Sequence, residues 1–216
     1  MAHPLLKMFI DAADGRFPAP DGGVTFTGPL PGGMQAVVGF TGHAVFATPL
    51  GAADFDDLQL DGFGASLHPE VLLRLAGGGT IYSNDVTLVA RGTGLDPAAQ
   101  PVLTASDRWE EHPRVQFARS QRSNVQVYGD ETGFVTLSSG LAERREMGVE
   151  INPEFHGSGT GRRFIDGARQ LVGVDEWLFA AVAPGNARSL RSFLSQGFVP
   201  IATEILIGRP STPEAS

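Results

Sequence analysis

The stretch that decides the fold runs from Met147 to Arg163 and reads MGVEINPEFHGSGTGRR. Its first residues alternate, with apolar side chains at Met147, Val149 and Ile151, which is the period-two pattern of a β-strand. Pro153 then interrupts the strand, because proline has no backbone N–H to donate to a neighbouring strand. The sequence therefore predicts a strand that ends at the start of a glycine-rich turn.

The turn leads directly into a helix. Gly157, Gly159 and Gly161 lack a Cβ atom, so the chain can adopt positive φ angles there and its amides can approach an anion closely. Apolar residues then recur at helical spacing, at Phe164, Ala168, Leu171 and Val172. We expect a helix that begins at the last glycine, with the positive end of its dipole facing the turn. This arrangement is suited to a pyrophosphate.

Three common glycine motifs do not fit this turn. The dinucleotide-binding fingerprint requires glycine where the chain has Arg162, and the P-loop requires a Gly-Lys-Ser/Thr ending that is absent. A nucleophile elbow separates its serine from each glycine by one residue, whereas Ser158 lies directly between Gly157 and Gly159. A turn that serves only chain flexibility remains the alternative to an anion site.

The residues from Val149 to Arg163 resemble the acyl-CoA-binding motif of the GCN5-related N-acetyltransferase (GNAT) superfamily. That motif consists of Gln or Arg, two further residues, Gly, one residue, and Gly or Ala. Here His156 occupies the first position, and Gly159 and Gly161 match the other two. A second block, from Asn186 to Phe198, resembles the next motif of the family, a helix that starts at asparagine and is closed by Gly-Phe.

The resemblance covers about residues 107 to 208, and it implies both a fold and an activity. The implied fold is α/β (α+β), with a mixed, mostly antiparallel central sheet flanked by helices, as in acyl-CoA N-acyltransferases. The implied activity is an N-acetyltransferase that uses acetyl-CoA as its acyl-donor cosubstrate and an amine as acceptor.

The resemblance also implies which residues bind the acyl donor. The strand before the turn would pair its backbone with the pantetheine arm, the amides of the turn would hold the pyrophosphate, and the second helix would lie beside the pantetheine and thioester. The implied cofactor-binding residues are Val149, Glu150, Ile151, His156, Gly157, Ser158, Gly159, Thr160, Gly161, Arg162, Asn186, Ser189 and Phe193.

The chain departs from the family pattern at the expected general acid. Many members place a tyrosine seven residues after the motif asparagine, where its hydroxyl can protonate the departing thiolate, but this chain has Phe193. Ser192 or Ser195 could substitute, or each could be a solvated helix serine. His156 is a weaker phosphate partner than arginine because its charge depends on pH near neutrality, and it also fits an exposed turn histidine.

A general base is needed because the acceptor ammonium must lose a proton before its nitrogen attacks. Glu143, Glu146 and Glu150 are the candidates, and Glu146 and Glu150 share one face of the predicted strand if no bulge intervenes. We predict Glu146 or Glu150 as the catalytic base. The alternative for Glu146 is a strand glutamate that pairs with Arg144 or Arg145.

Composition excludes several other classes of function. The chain has 216 residues, 42% of them hydrophobic, a formal net charge of -8 and no cysteine, which excludes disulfides and thiolate chemistry. Five scattered histidines show no paired metal-ligand spacing, so we expect no metal. The acidic balance argues against nucleic-acid binding. No apolar run approaches the roughly 18 residues of a membrane span, and no signal peptide is evident, so we expect a cytoplasmic protein with no membrane partner.

The first half of the chain carries weaker signals for its fold and function. Residues 11–34 are predicted to be an irregular lead-in, 36–40 and 43–47 a hairpin, 67–76 a short helix, and 85–91 a strand. Two organisations fit this order. In the preferred one, residues 1–84 form an N-terminal accessory region and 85–216 the acetyltransferase domain, divided near the glycines at 77–79; in the other, one continuous mixed sheet includes the early hairpin.

The second half adds further predicted elements. They are a helix over residues 113–122, strands over 125–128 and 134–137, and a strand near 199–206 whose exposed edge would allow a homodimer. His43 and His68 could line an acceptor site, but structural roles are favoured. Trp109 and the pair Glu110-Glu111 precede a helix that borders the acceptor pocket in the family, yet they also fit an anchored helix start.

The resemblance therefore implies acetyl transfer to an amine by direct attack, without a covalent enzyme intermediate. The alternative is a non-catalytic acyl-CoA-binding regulatory module, which the phenylalanine at position 193 keeps open. A different acyl group is a third possibility, because a pyrophosphate site does not select the acyl chain.

Overall fold

The computed structural model describes residues 2–96, 98 and 100–208. Within these residues there are five α-helices: α1 (Pro4–Ala13), α2 (Pro69–Ala76), α3 (Pro113–Gln121), α4 (Thr160–Gln170) and α5 (Ala187–Ser195). The nine strands there are β1 (Val24–Thr27), β2 (Gln35–Phe40), β3 (His43–Ala47), β4 (Ile81–Arg91), β5 (Ser123–Asp130), β6 (Gly133–Ser139), β7 (Arg145–Ile151), β8 (Trp177–Val182) and β9 (Val199–Ile207).

Strand pairing is mixed in direction and mostly antiparallel. β1 with β3 and β7 with β8 are parallel, whereas β2 with β3, β2 with β9, β5 with β6 and β6 with β7 are antiparallel. The prediction of an α/β fold with a mixed, mostly antiparallel sheet and flanking helices is confirmed.

The chain divides into two compact units. The first contains the described residues up to Val86 and those from Ile201 onward, and the second contains Thr87–Pro200. The first unit therefore combines residues from both ends of the chain. The predicted division after residue 84 into an accessory region and an acetyltransferase domain stays a prediction.

The first unit has the strand order β1-β3-β2-β9 followed by the first part of β4. The predicted hairpin is present as β2 and β3, which pair from Phe40 opposite His43. Helix α2 confirms the predicted short helix: Pro69 begins it, and Gly77 ends it in the left-handed conformation. A cluster of buried aromatic rings, Phe46 and Phe55 with the half-buried Phe26, forms the core beside α2.

Two elements of the first unit contradict the predicted irregular lead-in over residues 11–34. Helix α1 extends to Ala13, and β1 occupies Val24–Thr27. Strand β1 has only four residues and owes its extended form to parallel pairing with β3, a long-range contact that local sequence does not reveal. Helix α1 buries Leu5, Phe9 and Ala12, so packing stabilises this short helix.

The predicted exposed edge near residues 199–206 is wrong. Strand β9 exists, but it lies between β2 and β4 in the strand order and pairs antiparallel with β2 from Gln35 opposite Ile207. Its backbone groups are therefore used within the chain. A homodimer stays a prediction, but an exposed edge of β9 cannot be the reason for it.

The second unit has the last part of β4 followed by the order β8-β7-β6-β5. The hairpin of β5 and β6 and the following strand β7 agree with the sequence prediction, while β8 was not predicted. Helix α3 begins at Pro113, with His112 accepting the N–H of Arg114 at 3.2 Å as its cap. Helix α4 buries Phe164, Ile165 and Ala168, the apolar stripe expected of a helix that packs on the sheet.

Candidate functional site

Strand β7 is paired along its whole length on one side and only near its start on the other. Strand β6 opposes every residue of β7 without a bulge. Strand β8 pairs only at Glu146 with Phe179 and at Met147 with Ala180. In the described part of the chain, residues 148–151 therefore have no strand partner on the β8 side. Val149, Glu150 and Ile151, predicted to pair with pantetheine, lie on this open edge.

The glycine-rich turn follows this edge and presents backbone donors. Gly157 and Gly159 have φ angles of +84° and +88°, a region that glycine adopts without strain. A Cβ atom at either position would meet nothing within 4 Å, so the space beside the turn is open. No acceptor among the described residues takes a hydrogen bond from the N–H groups of residues 157–161. Such donors at a helix N-terminus are suited to an anion.

Gly161 differs from the two glycines before it. It lies inside α4 with a helical rather than a positive φ angle, and a Cβ atom there would make one ordinary contact, 3.8 Å from Cγ1 of Ile151. Neither the backbone nor the packing requires glycine at this position. The missing side chain instead keeps the first turn of α4 accessible to a ligand.

The two arginines that follow the turn have different surroundings. Nη2 of Arg163 donates to the carboxylate of Asp130 at 2.8 Å and to Oγ1 of Thr132 at 3.0 Å, which ties α4 to the turn between β5 and β6. Arg162 is exposed, and no ion pair to it exists within the described residues. Its charge is therefore available to an anion at the turn.

His156 lies between the strand end and α5. Its Nε2 is 2.9 Å from the carbonyl oxygen of Ile151, and its Nδ1 is 2.9 Å from Nη1 of Arg188. A carbonyl oxygen only accepts, so Nε2 carries the proton and Nδ1 accepts from the guanidinium. His156 is therefore neutral in this arrangement, and the permanent positive charge beside the turn belongs to Arg188.

Helix α5 uses the motif asparagine as its cap. Oδ1 of Asn186 accepts the N–H of Ser189 at 3.1 Å, which brings these two predicted site residues together. Phe193 is buried and packs edge-to-face against Phe198, with ring centroids 4.9 Å apart. It contributes to the core of the second unit and has no proton to donate to a leaving group.

The two serines considered as substitute acids donate to the helix backbone. Oγ of Ser192 donates to the carbonyl of Arg188 at 3.0 Å, and Oγ of Ser195 donates to the carbonyl of Ser192 at 2.8 Å. These bonds are typical of solvated helix serines, the alternative given by the sequence.

Glu146 is buried between two arginines. Its carboxylate is 2.5 Å from Nη2 of Arg122 and 2.9 Å from Nη2 of Arg144, and only 2% of the residue is exposed. Burial raises the pKa of this carboxyl, but the charges of Arg122 and Arg144 outweigh burial and hold the pKa below its usual value. A carboxylate held in this way is a poor proton acceptor, so the geometry favours a structural role.

Glu150 lies on the same face of β7 and has a more open environment. Its carboxylate is 3.0 Å from Nε of Arg114, and its side chain is 34% exposed. It also lines a cavity of about 220 Å³ together with Trp109, His112 and Phe134. Of the two predicted bases, Glu150 is the accessible one.

Several solved structures align with part of this chain. A protein assigned to the GNAT family from Novosphingobium aromaticivorans aligns with a TM-score of 0.44 at 18% identity, over 62% of this chain and 69% of that chain. A GCN5-related N-acetyltransferase from Kribbella flavida aligns with a TM-score of 0.42 at 19% identity, over 68% and 66%.

A further GNAT-family match is weaker. An acetyltransferase from Colwellia psychrerythraea has a TM-score of 0.38 at 10% identity, over 64% of this chain and 60% of that chain. No protein-family model matches the sequence, and none of the curated proteins matches it.

The fold brings most of the predicted site residues into one region and adds three that the sequence analysis missed. Arg188 contacts His156, Arg114 contacts Glu150, and Arg122 contacts Glu146. Each contact joins residues far apart in the chain, so no local spacing signals it. The three contacts decide which charges are free and which are neutralised.

Two further features of the described residues bear on function. None of the helices that the structure describes is long and apolar enough to cross a membrane. No group of three or more His, Asp or Glu side chains arranged for a metal ion occurs in residues 2–96, 98 and 100–208.

Proposed function

We propose that this chain is an acetyl-CoA-dependent N-acetyltransferase. The observation that carries the proposal is the separation of β7 from β8 immediately before an open glycine turn at the N-terminus of α4. The free edge of residues 148–151 can bind an extended pantetheine arm by main-chain hydrogen bonds, as an added strand would bind. The N–H groups of residues 157–161 can then hold the pyrophosphate at the end of that arm.

Charged side chains complete the proposed donor site. Arg162 and Arg188 supply two permanent positive charges next to the turn in a chain whose formal net charge is -8. His156 holds the guanidinium of Arg188 in place instead of contributing a charge of its own. The role predicted for His156, direct contact with phosphate, becomes in this proposal the positioning of Arg188.

Acetyl-CoA supplies an acyl group that is activated as a thioester. The lone pair of the neutral acceptor nitrogen forms a C–N bond with the carbonyl carbon, and the C–S bond breaks to release the CoA thiolate. Before this attack the acceptor ammonium gives one proton to the carboxylate of Glu150, directly or through one water, and after it the acylated nitrogen loses a second proton, through water, to the released thiolate, so the products are the amide and CoA thiol. Glu150 is suited to this role because it lies on the open edge of β7 and is partly exposed.

The departing sulfur needs no protonating side chain. A thiol has a pKa of about 8.5, so a thiolate is stable enough to leave without a general acid. This property accounts for the phenylalanine at position 193, which is buried against Phe198. Ser192 and Ser195 keep their hydroxyl protons on helix carbonyls in this scheme.

The experiment compares unfolding temperature and CoA release for the wild type, Gly161→Glu and the control Gly28→Glu. Acetyl-CoA at about 100 times its Kd should stabilise the wild type by roughly 2.7 kcal/mol. Gly161→Glu places a carboxylate at the turn and should lose this response. Gly28 has open space and no positive φ angle, so Gly28→Glu should keep it.

Each outcome has a definite meaning. Stabilisation of the wild type together with CoA release on addition of an amine supports the proposal. Stabilisation without release for a broad amine panel indicates the non-catalytic binding module. Release from other acyl-CoA esters but not from acetyl-CoA indicates a different acyl group. No stabilisation at saturating acetyl-CoA overturns the proposal.

A further inference from the structure

The cavity beside Glu150 has a composition that selects a class of acceptor. It measures about 220 Å³, and the rings of Trp109, His112 and Phe134 line it together with the Glu150 carboxylate. This volume is below the roughly 300–1,000 Å³ of pockets for drug-sized ligands, so it suits a small amine or a single side chain.

The aromatic walls are held in place before any ligand binds. Nε1 of Trp109 donates to the carbonyl of Asp130 at 3.0 Å, which fixes the indole. The centroid of Phe134 lies 5.2 Å from that of Trp109 and 5.0 Å from that of His112. Trp109 also packs on the buried cluster of Val115, Val127 and Phe134, so the rings form a rigid wall.

The electrostatic character of the cavity comes from one carboxylate. Phe134 lies opposite Glu150 in the pairing of β6 with β7, so both side chains lie on the same face of the sheet. Nδ1 of His112 accepts the N–H of Arg114, so this ring is neutral in the observed arrangement. Aromatic faces and a carboxylate both attract a cation.

Arg114 is the present partner of Glu150, and a ligand can replace it. The ion pair is solvent-exposed, because 63% of the Arg114 side chain and 34% of the Glu150 side chain are accessible. Exposed pairs of this kind are weak, since water screens them and the long side chain must be ordered. An ammonium group at Glu150 can therefore displace the guanidinium while Arg114 returns to solvent.

We infer that the acceptor is a primary monoamine with an apolar aryl or alkyl body, bound with its ammonium at Glu150 and its body against Trp109 and Phe134. The inference rests on the proposed function and specifies the chemical class of the acceptor amine. In this arrangement the backbone of residues 148–151 binds the acyl donor, and the side chain of Glu150, which also contacts Arg114 of α3, binds the acceptor. After the ammonium transfers its proton to Glu150, the neutral nitrogen attacks the thioester.

The test measures binding by calorimetry in the absence of acetyl-CoA, so it does not depend on turnover. The probes are 2-phenylethylamine, its uncharged analogue 2-phenylethanol, and phenylalanine, which adds a carboxylate. We expect the amine to bind about tenfold more tightly than either of the others, because its ammonium pairs with Glu150, whereas the alcohol has no charge and Glu150 repels the carboxylate of phenylalanine. Equal affinity for the amine and the alcohol overturns the inference.

The affinities of variants show whether the amine binds in the cavity beside Glu150. Glu150→Gln and Trp109→Leu should each weaken amine binding by about tenfold, and Trp109→Phe, which keeps a ring and guards against misfolding, by less. The control Glu154→Gln removes an exposed glutamate that does not line the cavity, and it should leave the affinity unchanged. Unchanged affinity in both Glu150→Gln and Trp109→Phe overturns the inference.

Failure of the inference and failure of the proposed function give different results. If the amine binds in the cavity but no CoA is released when acetyl-CoA is added, the acceptor inference survives and the proposed activity fails. If other amines release CoA with KM values that Glu150→Gln and Trp109→Phe do not change, the activity stands and the acceptor inference is overturned.

Discussion

Nη1 of Arg188 lies 2.9 Å from Nδ1 of His156, a contact that joins the first turn of α5 to the glycine turn before α4. The other ring nitrogen of His156 bonds to the carbonyl of Ile151, at the end of the open strand edge. His156 thus lies between the proposed pantetheine and pyrophosphate positions. It also holds, by a hydrogen bond, the side chain of Arg188, whose positive charge is proposed to bind the pyrophosphate.

Arg188→Ala should weaken acetyl-CoA binding by about tenfold, because a charge-assisted hydrogen bond to phosphate is lost. Arg188→Lys should recover part of the affinity, and added salt should weaken binding to the wild type more than to Arg188→Ala. Calorimetric titration measures these constants. Arg191→Ala, on the same helix and also exposed, is the control and should bind normally.

A truncated donor separates the charge of Arg188 from its structural role. S-acetylpantetheine has the thioester and the pantetheine arm but no phosphate. Its affinity should be the same for the wild type and Arg188→Ala. An equal loss of affinity for both donors would show that Arg188 only supports the fold.

Gly161→Ala should separate stability from binding. Gly161 is helical and has room for a methyl group, so alanine should raise the free energy of unfolding by up to about 1 kcal/mol. The same methyl group stands at the N-terminus of α4 and should weaken acetyl-CoA binding. Urea unfolding and calorimetry measure the two effects.

The matched variant is Gly159→Ala. Its φ angle of +88° is strained for alanine, so we expect a loss of about 1–2 kcal/mol of stability. If Gly161→Ala were stabilised and bound acetyl-CoA as the wild type does, the open first turn of α4 would have no part in binding.

Glu146→Gln should lower the free energy of unfolding by about 3–5 kcal/mol, because two arginines would lose their buried partner. Glu143→Gln changes an exposed residue of the preceding turn and should have little effect. Urea unfolding at neutral pH measures the difference. A stable Glu146→Gln enzyme with a much reduced rate would restore Glu146 as the base.

The contribution of Glu146 also depends on pH. Its pKa in the folded chain is below the ordinary value of 4.5, so the folded state binds this proton less readily than the unfolded state. The stabilisation is therefore present above pH 4.5 and is lost as the pH falls through the folded-state pKa. The stability difference between wild type and Glu146→Gln should shrink over that range, as unfolding curves at a series of pH values would show.

Glu150→Gln should lower kcat by about 100-fold, because the amide cannot accept the ammonium proton. Steady-state rates of CoA release at saturating acetyl-CoA and amine measure the change. Glu154→Gln, on the short turn after β7, should retain full activity. An unchanged kcat in Glu150→Gln would assign proton removal to water or to another group.

Much of the site could be predicted from local pattern. The alternation over β7, the proline that ends it, the glycines at 157 and 159 and the apolar stripe of α4 depend on neighbouring residues alone, and the structure agrees with each. The hairpin of β2 and β3 and helix α2 were predictable for the same reason. Period, turn chemistry and caps act over a few residues, so the sequence displays them directly.

Only the tertiary structure decided which strands pair and which charged side chains meet, because these residues are distant in the chain. The short strand β1, the interior place of β9 and the early end of pairing between β7 and β8 depend on which strands meet. The roles of the two predicted bases also separate in the fold: arginines bury and neutralise Glu146, whereas Glu150 stays accessible beside an aromatic cavity. The sequence determined where an anion could bind, because backbone geometry is local; the fold decided which charges are free, because burial and ion pairing are not.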